Sequence, residues 1–140
     1  MLRDELAQAL VTFATSTIDT LRETLGIEAS FRGHGREAPQ ISVVVEVTGD
    51  LRCVTWVFPL ELARVLALRM TGAPAPDDDA AIELANILTG RGAASLEDRG
   101  LRIELAAPRI TSGATTGAAI RLVTAAGLIE IAFEPQWVAA

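Results

Sequence analysis

The chain has no lysine and no tyrosine, and only one histidine and one cysteine in 140 residues. Each absence removes a class of chemistry. Schiff-base catalysis needs a lysine amine, and acid catalysis by a phenol needs a tyrosine. A His/Cys metal site takes three or four such ligands, which one chain of this composition cannot assemble. A Ser-His-Asp triad would have to use His34, which sits in the glycine-rich stretch GHGREAP with no nucleophile elbow beside it. The lone Cys53 excludes an intrachain disulfide and fits a reducing compartment. Positive charge is scarce as well. Formal net charge is −6, and no cluster exceeds two arginines in five residues. Binding nucleic acid requires a basic face that neutralises phosphates, so nucleic acid is not an expected partner.

Long apolar runs are missing too. The most apolar region, Gly117 to Phe133, is interrupted by Arg121 and Glu130, so no membrane insertion is expected. The first residues, MLRDELAQAL, carry acids early and lack the basic-then-apolar order of a signal peptide. Residues 1–140 read as one cytoplasmic domain with a core of useful size. Its chemistry is left to carboxylates, amides, hydroxyls and backbone.

What is present divides into alternating elements. Leu6, Leu10, Phe13, Ala14, Ile18, Leu21 and Leu25 repeat at helical spacing, predicting a helix over 3–25 ended by Gly26. Ile27 to Arg32 reads as a short strand and Gly33 to Pro39 as a loop holding His34. Two β-branched runs, Ile41–Thr48 and Leu51–Phe58, meet at Gly49-Asp50, a hairpin signal. Within them Cys53 reads as a small buried hydrophobe and Trp56 as core. Pro59 opens a second helix, PLELARVLALRM, which is apolar nearly all round and is expected to be well buried. After the connector Ala73–Asp78, a third helix is predicted from about Asp79 towards Asp98, with Gly90 and Gly92 weakening its second half. Leu101–Ala106 alternates as a strand that Pro108 should stop. Arg109–Gly117 reads as a loop, and Ala118–Thr124 with Leu128–Glu134 as a last hairpin. Trp137 reads as a C-terminal anchor or an exposed partner contact.

This order repeats. A helix, a glycine, a short strand, a proline and a hairpin occur twice, with a period of roughly 75 residues that suggests two similar halves packed together. The fold class expected is therefore α+β, with two pseudo-symmetric helix-plus-three-strand halves and an extra buried helix. Registering the halves on Gly26 and Gly100 sets Ala9 opposite Glu83 and Thr12 opposite Asn86.

The third helix carries the one polar pattern of note. At about 100° per residue, Glu83, Asn86 and Gly90 fall within about 40° of Asp79, while Ala81, Leu84, Ala85, Leu88 and Leu96 form a core stripe on the far side. Pattern alone leaves the polar face open between a contact surface and a solvated one. Two details bear on it. Asn is a poor helix former where Lys, Glu or Gln would serve better. Gly90 costs about 1 kcal/mol relative to Ala, yet removes any side chain that would obstruct close approach.

The run LRMTGAPAPDDDAAIELANILTGRG, followed by ELAAPRITSG, resembles the CheX/CheC group of chemotaxis phosphatases. That group's motif is an Asp or Ser, three residues, Glu, two residues, Asn, and about twenty residues later a Pro. Asp79, Glu83, Asn86 and Pro108 occupy those positions here. The resemblance implies a CheC-like fold and hydrolysis of the aspartyl phosphate on a CheY-like response regulator. It assigns Asn86 to orient the attacking water and Glu83 to pair with the regulator's active-site lysine. Asp79 is expected to support the helix start as a cap or dipole partner, Pro108 to shape the loop beside the helix, and Gly90 to clear the approach. No cofactor is expected on this chain, the Mg²⁺ belonging to the partner. The first helix lacks the polar pair, so the resemblance is to single-site CheX-type members, and a homodimer is implied, with the strands around 118–134 suited to edge pairing. The rival reading is a non-catalytic module that binds a receiver domain or a flagellar switch component.

Overall fold

The computed structural model describes residues 2–112 and 117–136. The chain runs α1 (Arg3–Leu25), β1 (Ala29–Ser30), β2 (Gln40–Gly49), β3 (Leu51–Pro59), α2 (Leu60–Thr71), α3 (Asp77–Glu97), β4 (Ile103–Thr111), β5 (Ala118–Thr124) and β6 (Gly127–Pro135). The six strands form one antiparallel sheet in the order β1-β5-β6-β3-β2-β4. Exchanging β1, β2 and β3 with β4, β5 and β6 gives the same order read backwards. The two halves foreseen from the repeat are thus related by a pseudo-two-fold through the central β3–β6 pair.

Alternation explains which face of the sheet the helices cover. Val43, Val45 and Val47 of β2, Val54, Trp56 and Phe58 of β3, and Ile129, Ile131 and Phe133 of β6 are all buried and lie on one face. α1 packs there through Phe13, whose ring stands 5.5 Å from that of Trp56 and 5.0 Å, edge-on, from that of Phe133. α3 lies beside α1, and here a glycine is required. A Cβ at Gly92 would strike the Phe13 ring, so the two helices approach closely at Gly92. Gly49 has an equally specific role. It turns the first hairpin with φ 103°, and a Cβ there would hit the Arg102 carbonyl. Its neighbour Asp50 then accepts from Arg102 N–H at 2.8 Å, tying that hairpin to the start of β4.

Several expectations are corrected. β1 spans only Ala29–Ser30 rather than Ile27–Arg32. Pro108 does not stop β4, which runs through it to Thr111; the segment read as a loop is strand as far as that residue. β4 is an edge strand, and an edge has one side where a missing N–H costs nothing. Pro108 faces Val45, and an extra residue at Ala106 makes a β-bulge next to it. α2 is only half buried: Leu62, Ala63, Leu66 and Ala67 pack inward, while Leu68 and Met70 remain 49% and 57% exposed. A pattern apolar nearly all round implies neighbours on every side, but α2 has them on one side only. Cys53 is half-buried on the face of the sheet away from the helices, and its thiol donates to Glu134 at 3.4 Å. Partial burial and the Glu134 carboxylate push that thiol above its ordinary pKa. Of the strands proposed for edge pairing, β6 is interior, and β5 is capped by β1 only at Val123 and Thr124. Trp137 lies outside the described residues.

The pairing of the halves also shifts. Ala9 is 2% exposed whereas Glu83 is exposed, so the glycine-based register does not match the packing. Setting buried Ala9, Leu10, Phe13, Ala14 and Thr17 opposite buried Ala80, Ala81, Leu84, Ala85 and Leu88 does match it. Thr12 then stands opposite Glu83 and Thr15 opposite Asn86. The polar pair still occurs once.

Candidate functional site

α3 begins with three acids, Asp77, Asp78 and Asp79, where carboxylates favour the positive end of the helix dipole. No side chain caps this end, since the N-cap is Pro76. Asp79 is therefore placed as a dipole partner and not as a cap. Asp77 does a second job. Its two oxygens accept from Arg64 Nε and an Arg64 terminal nitrogen, each at 3.0 Å, which joins α3 to α2. That bidentate bond holds the Asp77 carboxyl below the usual aspartate range.

One face of α3 is fixed against the sheet. Ala81, Leu84, Ala85, Leu88 and Leu96 are buried as the periodicity required. Thr89 is buried with them and accepts from the Trp56 indole N–H at 2.9 Å. This bond was not foreseen, because it pairs residues on elements whose contact no local pattern encodes. With that face locked, the rotation of the opposite stripe is settled. Glu83 is exposed, Asn86 is half-buried like Ile82 and Ile87, and Gly90 is exposed. A Cβ at Gly90 would meet nothing within 4 Å, so the surface beside Asn86 is open.

Glu83 and Asn86 make no hydrogen bond or ion pair within the described residues, and neither does Asp79. No buried side-chain polar atom among these residues lacks a partner, so the carboxamide stays reachable from outside despite its half-burial. Asn86 is the only asparagine in the sequence. α3 thus brings Asp79, Glu83, Asn86 and Gly90 together on one open stripe. Pro108 is on a different element. It shares the helix-bearing face of the sheet with Val45 and lies within strand β4, so it does not form a loop beside the helix.

Two hollows border the stripe. One, of about 320 Å³, lies between α2 and α3 and is lined by Leu66, Met70, Ala75, Ala80, Asp79 and Glu83, among others. The other, of about 330 Å³, runs past Gly90, Ala93 and Ala94 to Arg102 and Glu104. A third depression, on the far face of the sheet, contains Arg52 and Arg109, but these already pair with Glu134 and Glu46 at 3.7 and 3.8 Å. Among the described residues no group of three or more His, Cys, Asp or Glu side chains could hold a metal ion. No helix among them is long and apolar enough to cross a membrane.

No protein-family model matches the sequence, and no curated protein matches it. Solved structures do. A chemotaxis protein CheX from Vibrio vulnificus superposes with a TM-score of 0.67 at 22% identity, over 90% of this chain and 96% of its own. CheX from Desulfovibrio desulfuricans gives 0.65 at 22% identity, over 91% and 99%. CheX of Borrelia burgdorferi, solved as a CheX–CheY–BeF₃–Mg²⁺ complex, gives 0.64 at 17% identity, over 88% and 96%. The fold of this chain is the CheC/CheX-like α+β fold.

Proposed function

We propose that this chain hydrolyses the aspartyl phosphate of a CheY-like response regulator docked on the exposed stripe of α3. The observation that carries the reading is the Glu83/Asn86 pair. Both side chains lack partners among the described residues and share the open stripe of a helix whose other face is pinned to the core. The fold supports it, because CheX of Borrelia burgdorferi was solved with CheY, BeF₃ and Mg²⁺. Beryllofluoride is a tetrahedral stand-in for a phosphoryl group.

The chemistry suits a chain without lysine, tyrosine or clustered histidine. An acyl phosphate is already labile, and its leaving group and Mg²⁺ belong to the regulator. Water attacks phosphorus in line, a new P–O bond forms, and the bond to the aspartyl oxygen breaks. The aspartate departs with the electron pair as a carboxylate, and the water's protons pass to phosphate and solvent. What the enzyme adds is mainly the orientation of that water. The Asn86 carboxamide does this with no charge to repel the phosphoryl oxygens, which a carboxylate would do. Glu83, about one turn away, pairs with the regulator's lysine and fixes the docking. Asp79 supports the helix start, and Gly90 leaves room for the partner's approach.

The test is phosphate release from a phosphorylated CheY-type receiver, with and without this chain. Acceleration that disappears in Asn86→Ala supports the reading. A chain that binds the receiver without speeding release is a non-catalytic module instead.

A further inference from the structure

The hollow between α2 and α3 is more than a seam between helices. Its lining is mostly apolar: Leu66, Ala67 and Met70 from α2, with Thr71 beside them, Ala75 from the connector and Ala80 from α3. Asp79 and Glu83, both exposed, stand at its rim, and neither side chain has a partner among the described residues. Met70 is 57% exposed, which leaves a long, adaptable apolar side chain in water at the mouth of the groove. The two helices that form the groove are also tied to each other. The Arg64–Asp77 bridge holds the two helices together, and two prolines stiffen the Ala73–Pro76 connector. Thr71 Oγ1 accepts from Ala73 N–H at 3.3 Å and donates to the Ala67 carbonyl at 2.9 Å, which fixes the turn out of α2. A groove ordered in advance spends little of its occupant's binding energy on ordering itself.

We infer that this groove receives an apolar side chain from the regulator, close in its sequence to the lysine that Glu83 meets. The inference rests on the docking proposed above and adds a specificity pocket to it. Charge complementarity names the occupant. An apolar trough rimmed by two unpaired carboxylates suits an apolar residue flanked by a basic one. A second copy of this chain is a poorer supplier, because two chains of net charge −6 repel each other. The pocket divides the labour of the site. Glu83 reads the charge that active-site lysines share, and the groove around Met70 reads the neighbouring residue that differs between receivers.

The experiment measures binding of CheY-type receivers from the same genome, loaded with beryllofluoride and Mg²⁺, to the wild type, Met70→Asp and Leu68→Asp. Leu68 is an equally exposed apolar residue of α2 that does not line the groove, so it controls for added charge. Met70→Asp is expected to weaken the preferred receiver about tenfold, the value of one methionine-sized contact. It should raise the receiver concentration for half-maximal phosphate release while leaving the saturated rate alone, and Leu68→Asp should do neither. Three results overturn the inference. The first is Met70→Asp binding as tightly as the wild type. The second is equal weakening by Leu68→Asp. The third is Met70→Asp breaking a wild-type dimer while binding the receiver normally, which would give the groove to a second copy. Failure of the wild type to bind any receiver would overturn the docking proposal itself, a result distinct from those three.

Discussion

The indole N–H of Trp56 donates to the hydroxyl of Thr89 at 2.9 Å, with both residues fully buried. The bond joins central strand β3 to the inner face of α3, one turn beyond Asn86. It fixes how α3 is rotated, and therefore which residues α3 presents outward.

Thr89→Val keeps the shape and removes the acceptor, leaving a buried indole N–H unpaired. It should destabilise the protein by about 1–3 kcal/mol. Thr89→Ser keeps the hydroxyl and should cost less. Urea unfolding of the three proteins checks this, and a Val variant as stable as the wild type would show that the bond contributes nothing.

The two glycines of α3 should respond oppositely. Gly92 faces Phe13 with no room for a methyl, so Gly92→Ala should cost about 1–3 kcal/mol through overpacking. Gly90 faces open space, so Gly90→Ala should gain up to about 1 kcal/mol of helix propensity. Gly90→Leu should likewise leave the fold intact but weaken receiver docking. Thermal melts separate the first two, and unchanged activity in Gly90→Leu would remove the role given to that open surface.

Much of this was legible in the chain. The core stripe of α3 follows from its 3.6-residue period, and the first hairpin from Gly49-Asp50. The elements misread share a cause, in that local pattern does not report what lies alongside. Pro108 sits in a strand because β4 has a free edge. Leu68 and Met70 are exposed because α2 has neighbours on one side only. Cys53 faces outward because the sheet is covered on one face. In the proposed site, helical spacing puts Glu83 and Asn86 on one face and only the family resemblance suggests roles for them, whereas the Trp56–Thr89 bond and the groove at Met70 depend on tertiary packing.

The register between the halves can be tested by stability. Ala9 is buried, so Ala9→Glu should cost about 3 kcal/mol or more as an unpaired buried charge. Thr12→Glu, at the position matching Glu83, should cost no more than about 1 kcal/mol. The reverse order would restore the glycine-based register.

The Arg64–Asp77 bridge gives an acid dependence of defined sign. Folding depresses the Asp77 carboxyl, so its stabilisation is present above the ordinary aspartate pKa and is lost as pH falls through the lower folded value. The effect is small because the pair is exposed. Melting temperatures recorded from pH 6 downward should converge for the wild type and Asp77→Asn at the acid end. Curves that stay parallel would remove the bridge from the account.

The most direct test of the central claim is single-turnover phosphate release from a phosphorylated CheY-type receiver saturated with wild-type or Asn86→Ala protein. The account predicts a fall in the saturated rate of about a hundredfold in Asn86→Ala, with receiver affinity retained. Glu83→Ala should instead mainly weaken binding. A saturated rate in Asn86→Ala equal to that of the wild type would contradict it.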